Sequence, residues 1–475
     1  MPVAPTLHKT MVKSDRFAHL NNFESKNQYD DSGNYPHIHY KTRINPLRYK
    51  ARQFLLPFIR AETERLYNIQ TSMRSDFLDF YFPYTANLAS HTFYVLTLPL
   101  PIWFGYGKIT RDLVFILGYG IYFTGFVKDF CCLPRPRSPP LHRITLSGYT
   151  AKEYGFPSSH SANATAFSLL MASLVLQNYD SFQNCLWLYL SLVAIAAYYF
   201  SLVIGRIYCG MHGFLDIIVG AVIGALCLLI RSLTADWWDH FITNSSIFAP
   251  ILAVLINYSL IYFHISPVDD CPCFDDSIAF IGVIMGLEIS SWVYANYFVP
   301  YGFENIYIPY CFEELGVIKS ALRVTVGLIL VVIWKELSKP FLFKLFSPIY
   351  RKFVKDDKEM ARFNRIRSRT LSKDEKIGNV KEFIQNLSQT DKKDTIGPQS
   401  AIDLTELDEL QSHSDYYEEL KILREKNVLF TCSAFKKRYD IEIIVRLIVY
   451  AGITFVSIVI FSEVVKFLKL TPTGY

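Results

Sequence analysis

The chain has 475 residues, 51% of them hydrophobic and 16% aromatic, and a formal net charge of +5. At a mean hydropathy of +0.19 it is too apolar for an ordinary soluble globule, and its small positive charge fits lipid headgroups rather than nucleic acid. Nine cysteines show no zinc-type spacing and read as core or loop thiols, a luminal disulfide being the alternative.

Residues 1–76 are polar, with a basic second half that includes Arg48, Arg52 and Arg60. This segment suits an amphipathic, interfacial position. Its start lacks the apolar core of a cleavable signal peptide, so the first span is expected to direct insertion. Apolar runs near the roughly 20-residue length of a membrane crossing follow at Phe82–Trp103, Arg111–Val127, Ser161–Leu176, Leu186–Ile204, Phe214–Ile230, Ile247–Ile265, Ile278–Phe298, Val317–Trp334 and Ile441–Phe461. The expected organisation is a membrane core over 77–235, further spans over 236–349, a polar and largely disordered stretch over 350–439, and a final span with its tail over 440–475. The polar stretch holds a basic serine-rich string at Arg365–Ser372 that suits a kinase. The whole is an all-α, polytopic membrane helix bundle.

Counting crossings brings three polar clusters to one membrane face. The first is Lys128 with Arg135, in "VKDFCCLPRPRSPPLH", where prolines stiffen a loop bearing cations suited to a phosphate dianion. As the other reading, such a loop anchors a helix to headgroups. The second is "GFPSSH", Gly155 to His160, opening a helical pattern with Ser158 as its expected N-cap. The free amides there form an anion site to which Ser158 and Ser159 add hydroxyls. The third is "GRIYCGMHGFLDIIVG", in which His212 and Asp216 stand four apart, on one face if the helix has begun by then, with Arg206 as another cation. An aspartate so placed can hold an imidazole in one tautomer. Two imidazoles among cations suit phosphoryl transfer, one attacking phosphorus and the other protonating the leaving oxygen. No Walker loop, Asp-rich magnesium site or zinc set is present, and the acidic "PVDDCPCFDD", Pro267–Asp276, reads as a solvated loop.

Lys128 with Arg135-Pro136, Pro157-Ser158-Ser159-His160, and Arg206 with His212 and Asp216 resemble, in order and spacing, the three motifs of the type 2 phosphatidic-acid phosphatase superfamily. "SHTFYVLTLPLPIWFGY", "CLPRPRSPPLHRITLS", "GRIYCGMHGFLD", "PVDDCPCFDDSIAF" and "VIWKELSKP" extend the resemblance to the fungal sphingoid long-chain-base-1-phosphate phosphatases. The resemblance implies a six-helix phosphatase core with extra C-terminal spans. It implies His212 as nucleophile, Asp216 as its partner and His160 as general acid, with Lys128, Arg135, Arg206, Ser158 and Ser159 on the phosphate. It further implies a sphingoid base phosphate substrate held among membrane lipids, no cofactor or metal, and a luminal site at the endoplasmic reticulum. Two positions depart from the superfamily pattern: Ser159 stands where glycine is usual, and Gly205 where serine often is. The alternatives are a broad-specificity lipid phosphatase or phosphotransferase, and a non-catalytic lipid-phosphate transporter. Nothing read from the residues themselves identifies what would meet the substrate's ammonium. Glu288, inside an apolar span, is a candidate, with Arg323 or another span's cation as its alternative partner.

Overall fold

A computed structural model describes residues 32–35, 37–146, 148–179, 185–269, 271–298, 308–353 and 440–473. Arg365–Ser372 and nearly all of the polar 350–439 stretch lie outside the described residues. Among the described residues the elements are helices: α1 (His37–Lys41), α2 (Pro46–Ala61), α3 (Thr63–Met73), α4 (Asp76–Ala86), α5 (His91–Thr97), α6 (Leu100–Trp103), α7 (Gly107–Cys131), α8 (Gly148–Ala151), α9 (Ser159–Gln177), α10 (Cys185–Tyr208), α11 (Phe214–Asn244), α12 (Phe248–Phe263), α13 (Cys273–Tyr297), α14 (Phe312–Phe353), α15 (Ile441–Phe455) and α16 (Phe461–Phe467). A π-turn at Val456–Ile460 joins the last two.

Six of these stretches are long and apolar enough to cross a membrane: α7, α10, α11, α13, α14 and the continuous α15–α16. Three of the nine expected spans depart from that description. Phe82–Trp103 is broken, because the Ser90 hydroxyl accepts from the Phe93 N–H and starts a new helix, while Pro99 and Pro101 start another. The stretch at Ile247–Ile265 forms the shorter α12, and the one at Ser161–Leu176 lies in the 19-residue α9, whose first half is polar and buried.

Helices α7, α9, α10 and α11 form the bundle that carries the three clusters, and α13 packs between α7 and α15. The approach of α9 to α11 is set by small residues. A Cβ on Gly220 would lie 2.3 Å from the Ser158 carbonyl oxygen, and one on Gly224 only 2.0 Å from that of Ala162. Two glycines four apart let the backbones touch, which is how membrane helices gain contact without a hydrophobic driving force.

A buried ionic network ties the spans on a different set of residues from the clusters. Arg111 on α7 donates to Asp239 on α11 at 2.7 Å and to Glu288 on α13 at 3.1 Å. Arg231 donates to both oxygens of Asp239 and to Asp112, and the Trp238 indole donates to Glu288. Glu288 is fully buried in this network, so it is a structural carboxylate paired with another span's cation. Arg323 instead donates to the backbone carbonyls of Trp103 and Leu470.

The basic N-terminal segment is turned inward. Arg48 donates to the Asp129 and Phe130 carbonyls, Arg52 to those of Cys132 and Gly33, and Arg60 to that of Arg135. Its apolar residues Leu47, Phe54 and Phe58 face outward. The "PVDDCPCFDD" loop is likewise packed rather than solvated. Asp269 is buried and accepts from His39 at 2.9 Å, the Tyr40 hydroxyl at 2.7 Å and the Gly33 N–H at 2.8 Å. Cys271 and Cys273 form a disulfide, whereas Cys131, Cys132, Cys209 and Cys227 are buried thiols.

Candidate active site

Helix α7 ends where Cys132 takes a left-handed φ of 51° and its N–H bonds the Lys128 carbonyl at 2.8 Å. That stop leaves Lys128 in the last helical turn and sends the proline-rich loop back across the bundle end. Arg135 is 1% exposed and is held on every side. Its Nε donates to the Glu153 carbonyl at 3.1 Å, Nη2 to the Thr150 carbonyl at 2.6 Å and Nη1 to the Met211 carbonyl at 2.7 Å. Nη1 also lies 3.2 Å from Nε2 of His212. The guanidinium can only donate, so the Nε2 lone pair accepts and the ring proton resides on Nδ1.

Nδ1 of His212 faces Oδ2 of Asp216 at 3.6 Å, longer than a hydrogen bond. The pair does not share a helical face, because α11 begins at Phe214, after His212. A capping turn brings the two together instead: the Gly213 N–H donates to Asp216 Oδ2 at 2.8 Å. Burial, reinforced by the charges of Arg135, Lys128 and Arg206 and by His160, pushes His212 well below its ordinary pKa, so its imidazole is neutral at neutral pH.

Ser158 is fully buried, and its hydroxyl caps α9 by accepting from the Ser161 N–H at 3.3 Å. Its own N–H donates to the Asp216 carbonyl at 2.9 Å, joining the second cluster to the third. Ser159 and His160 open α9 and, with Lys128 and Arg206, line a cavity of about 500 Å³. That volume is ample for a lipid-sized ligand. Its wall continues into the apolar Leu88, Phe93 and Ile121. His212 and Arg135 lie buried behind the polar end, and His160 is in electrostatic contact with His212. The eight residues singled out from sequence are therefore gathered at one end of the bundle.

Three contributors had no such signal. Glu153, in the turn before α9, takes a short hydrogen bond from Lys128. Glu62, at the end of α2, accepts from the Leu215 N–H at 3.1 Å and so caps α11 from outside. Burial pushes the Glu62 carboxyl up. Gln70 on α3 donates to the His142 and Tyr208 carbonyls and accepts from the His142 N–H.

The model of the PAP2 superfamily matches residues 110–239, which hold all three clusters. The dihydrosphingosine 1-phosphate phosphatase of Saccharomyces cerevisiae is 42% identical over 70% of this chain and 80% of its own. The chain belongs to the PAP2 superfamily. A dihydrosphingosine 1-phosphate phosphatase of Schizosaccharomyces pombe is 38% identical over 64% of this chain and 72% of its own. Lipid phosphate phosphatase delta of Arabidopsis thaliana is 31% identical over 44% and 51%. No solved structure matches the chain. In this superfamily member, Glu62 and Gln70 reach the motif loops from outside the matched stretch, so α2 and α3 are part of the frame that fixes them.

Proposed function

We propose that this protein hydrolyses sphingoid long-chain-base 1-phosphates, such as dihydrosphingosine and phytosphingosine 1-phosphate, to the free base and phosphate without a metal. The carrying observation is a neutral, buried His212 whose Nε2 lies beside Arg135, in electrostatic contact with Lys128, Arg206 and His160. Arg135, Lys128 and Arg206 stabilise charge on the phosphoryl oxygens. The names of the two fungal relatives support the substrate, and the apolar continuation of the cavity suits its chain.

In the first step Nε2 of His212 attacks phosphorus while the bond to the alkoxy oxygen breaks and His160 gives that oxygen its proton. The imidazole becomes a phosphohistidine, its Nδ1 proton facing Asp216. In the second step water attacks phosphorus, neutral His160 takes the water proton, the P–N bond breaks, and phosphate leaves with both histidines restored. Ser159 and the free amides at the start of α9 complete the anion site, and the Ser158 hydroxyl serves it by fixing that helix start.

The membrane is that of the endoplasmic reticulum and the site faces the lumen. The resemblance to the fungal enzymes supports this. Asn244, in the sequon Asn244-Ser-Ser, lies at the far end of α11 from Gly213. With a luminal site it stays unglycosylated, and glycan on Asn244 contradicts that orientation.

The activity is tested with purified full-length protein, dihydrosphingosine 1-phosphate and a chelator. Phosphate release by the wild type, lost in His212→Ala while the lipid still binds, is expected. Binding without release by the wild type contradicts the enzyme reading, and unchanged release by His212→Ala contradicts the assignment of the nucleophile.

A further inference from the structure

The carboxylate of Glu153 stands among the cations assigned to the phosphate. Its Oε2 takes the Lys128 ammonium in a short hydrogen bond and lies 4.0 Å from Nη2 of Arg135. It is also in electrostatic contact with Arg206. The residue is 8% exposed, and it borders the cavity beside Lys128, Ser159, His160 and Arg206. Its backbone is fixed as well, the carbonyl by Arg135 and the N–H by the Thr150 carbonyl at 3.4 Å.

An anion in that position works against binding any phosphate monoester. A dianion seated on Lys128, Arg135 and Arg206 must share Lys128 with Glu153, and two anions on one cation repel at short range. The conflict disappears when the ligand brings its own cation. In a sphingoid 1-phosphate, the ammonium is on the carbon next to the one bearing the phosphate ester. It therefore reaches a carboxylate only if that carboxylate adjoins the phosphate subsite. Glu153 meets this condition. Glu288 does not, because it is buried against Arg111 and Trp238. Asp276, in the first turn of α13, also borders the cavity, as does Arg446.

We propose that Glu153 is the ammonium-recognition residue of this site, selecting phosphate monoesters with a neighbouring amine and penalising those without one. The inference rests on the phosphatase reading above and concerns the substrate class of the same site. Lys128 sits on the Glu153 oxygen that the substrate's ammonium fills in the complex. When substrate enters, Lys128 turns toward the phosphate, and the substrate's ammonium donates to the freed Glu153 oxygen. Specificity then comes from a repulsive element as much as an attractive one.

The test compares kcat/KM of full-length wild type and Glu153→Gln on three lipids of matched chain length. They are dihydrosphingosine 1-phosphate, its N-acylated form, which is uncharged at nitrogen, and an alkyl phosphate with no nitrogen. The wild type is expected to prefer the free amine over both others by about tenfold or more, the loss that follows from one unmade hydrogen bond to a charged group. In Glu153→Gln the amine substrate falls and the alkyl phosphate rises, so the ratio between them drops by at least the same factor. A parallel fall on all three lipids means that Glu153 only props Lys128 and Arg135, which overturns the proposal and leaves the phosphatase reading standing. Should Glu153→Gln not be recovered folded, the wild type alone decides: equal efficiency on amine and alkyl phosphate overturns the proposal. No turnover of any of the three by the wild type overturns the phosphatase reading itself, and the proposal with it.

Discussion

Arg135 donates to Nε2 of His212, the nitrogen proposed above as the nucleophile, at 3.2 Å. The guanidinium therefore holds the Nε2 lone pair, and under the proposed mechanism an incoming phosphate frees that lone pair by drawing the N–H to its own oxygens. In that proposal Arg135 orients the imidazole before binding and stabilises the phosphoryl group after it. Replacing it with lysine keeps the charge but loses the fork that spans the Met211, Thr150 and Glu153 carbonyls. Arg135→Lys is expected to cost about 10²–10³ in kcat, measured on the purified protein with saturating substrate. Near wild-type turnover in that variant contradicts the dual role.

The position of His212 has a pH consequence of definite sign. Burial and the surrounding cations hold its pKa well below the ordinary value of 6.5. His212 therefore stays neutral at pH 6.5 and somewhat below, and if it is the nucleophile proposed above, its protonation is expected to limit kcat/KM only in more acid solution. In the unfolded chain the same histidine takes up its proton near pH 6.5, so from there downward the unfolded state binds more protons and stability is lost as pH falls. Thermal unfolding of wild type and His212→Asn between pH 8 and pH 5 measures this. The wild type is expected to lose more of its melting temperature across that range than the variant. Equal losses contradict a depressed pKa.

Glu62 acts on the site from a helix outside the superfamily match. By accepting from the Leu215 N–H it fixes the first turn of α11, and with it the Gly213 N–H that holds Asp216. Loss of a cap costs about 1 kcal/mol, so Glu62→Ala is expected to fold with a slightly lower melting temperature. Its kcat is expected to drop about tenfold as the His212–Asp216 pair loses its setting, a factor that corresponds to about 1.4 kcal/mol of transition-state stabilisation. KM is expected to hold. Kinetics that change KM alone contradict the positioning role.

Glu288 gives the opposite pattern. It shares Arg111 with Asp239 in the network that joins α7, α11 and α13, and removing one partner of a buried ion pair typically costs about 3–5 kcal/mol. Glu288→Ala is expected to lower the melting temperature strongly while leaving the ratio of amine-bearing to amine-free substrates unchanged in the protein that remains folded. A changed ratio with an unchanged melting temperature would restore Glu288 as a substrate contact.

The parts of the site legible in the sequence are those in which local spacing and chemistry coincide. Lys128 and Arg135 follow an apolar run, Ser158 precedes a helical pattern, and Arg206, His212 and Asp216 flank a turn between two spans, so each cluster could be placed at the end of an apolar run. The count that brought them to one face, however, took Ser161–Leu176 as a crossing, and α9 is not among the six candidate spans. The contacts that failed to show are the long-range ones. Glu62 meets Leu215, Gln70 meets Tyr208 and Arg52 meets Cys132 across 80 to 153 residues of chain, and nothing in "AETERLY" or its neighbours marks a partner. The geometry of His212 and Asp216 also lay beyond a periodicity argument, since a capping turn rather than a helical face brings them together. The expected span at Phe82–Trp103 shows a different shortfall. Hydropathy averages over a window, whereas Ser90, Pro99 and Pro101 act one residue at a time to end and restart helices.

The central claim is that phosphorus is transferred to His212, and trapping the intermediate tests it most directly. Full-length protein is mixed with phosphate-labelled dihydrosphingosine 1-phosphate in the presence of chelator, quenched in base within the first turnovers, and mapped by peptide. Label on His212, stable to base, labile to acid and absent from His212→Ala, is the predicted result. Burst-free turnover with no labelled peptide at any quench time, or label on another residue, contradicts it.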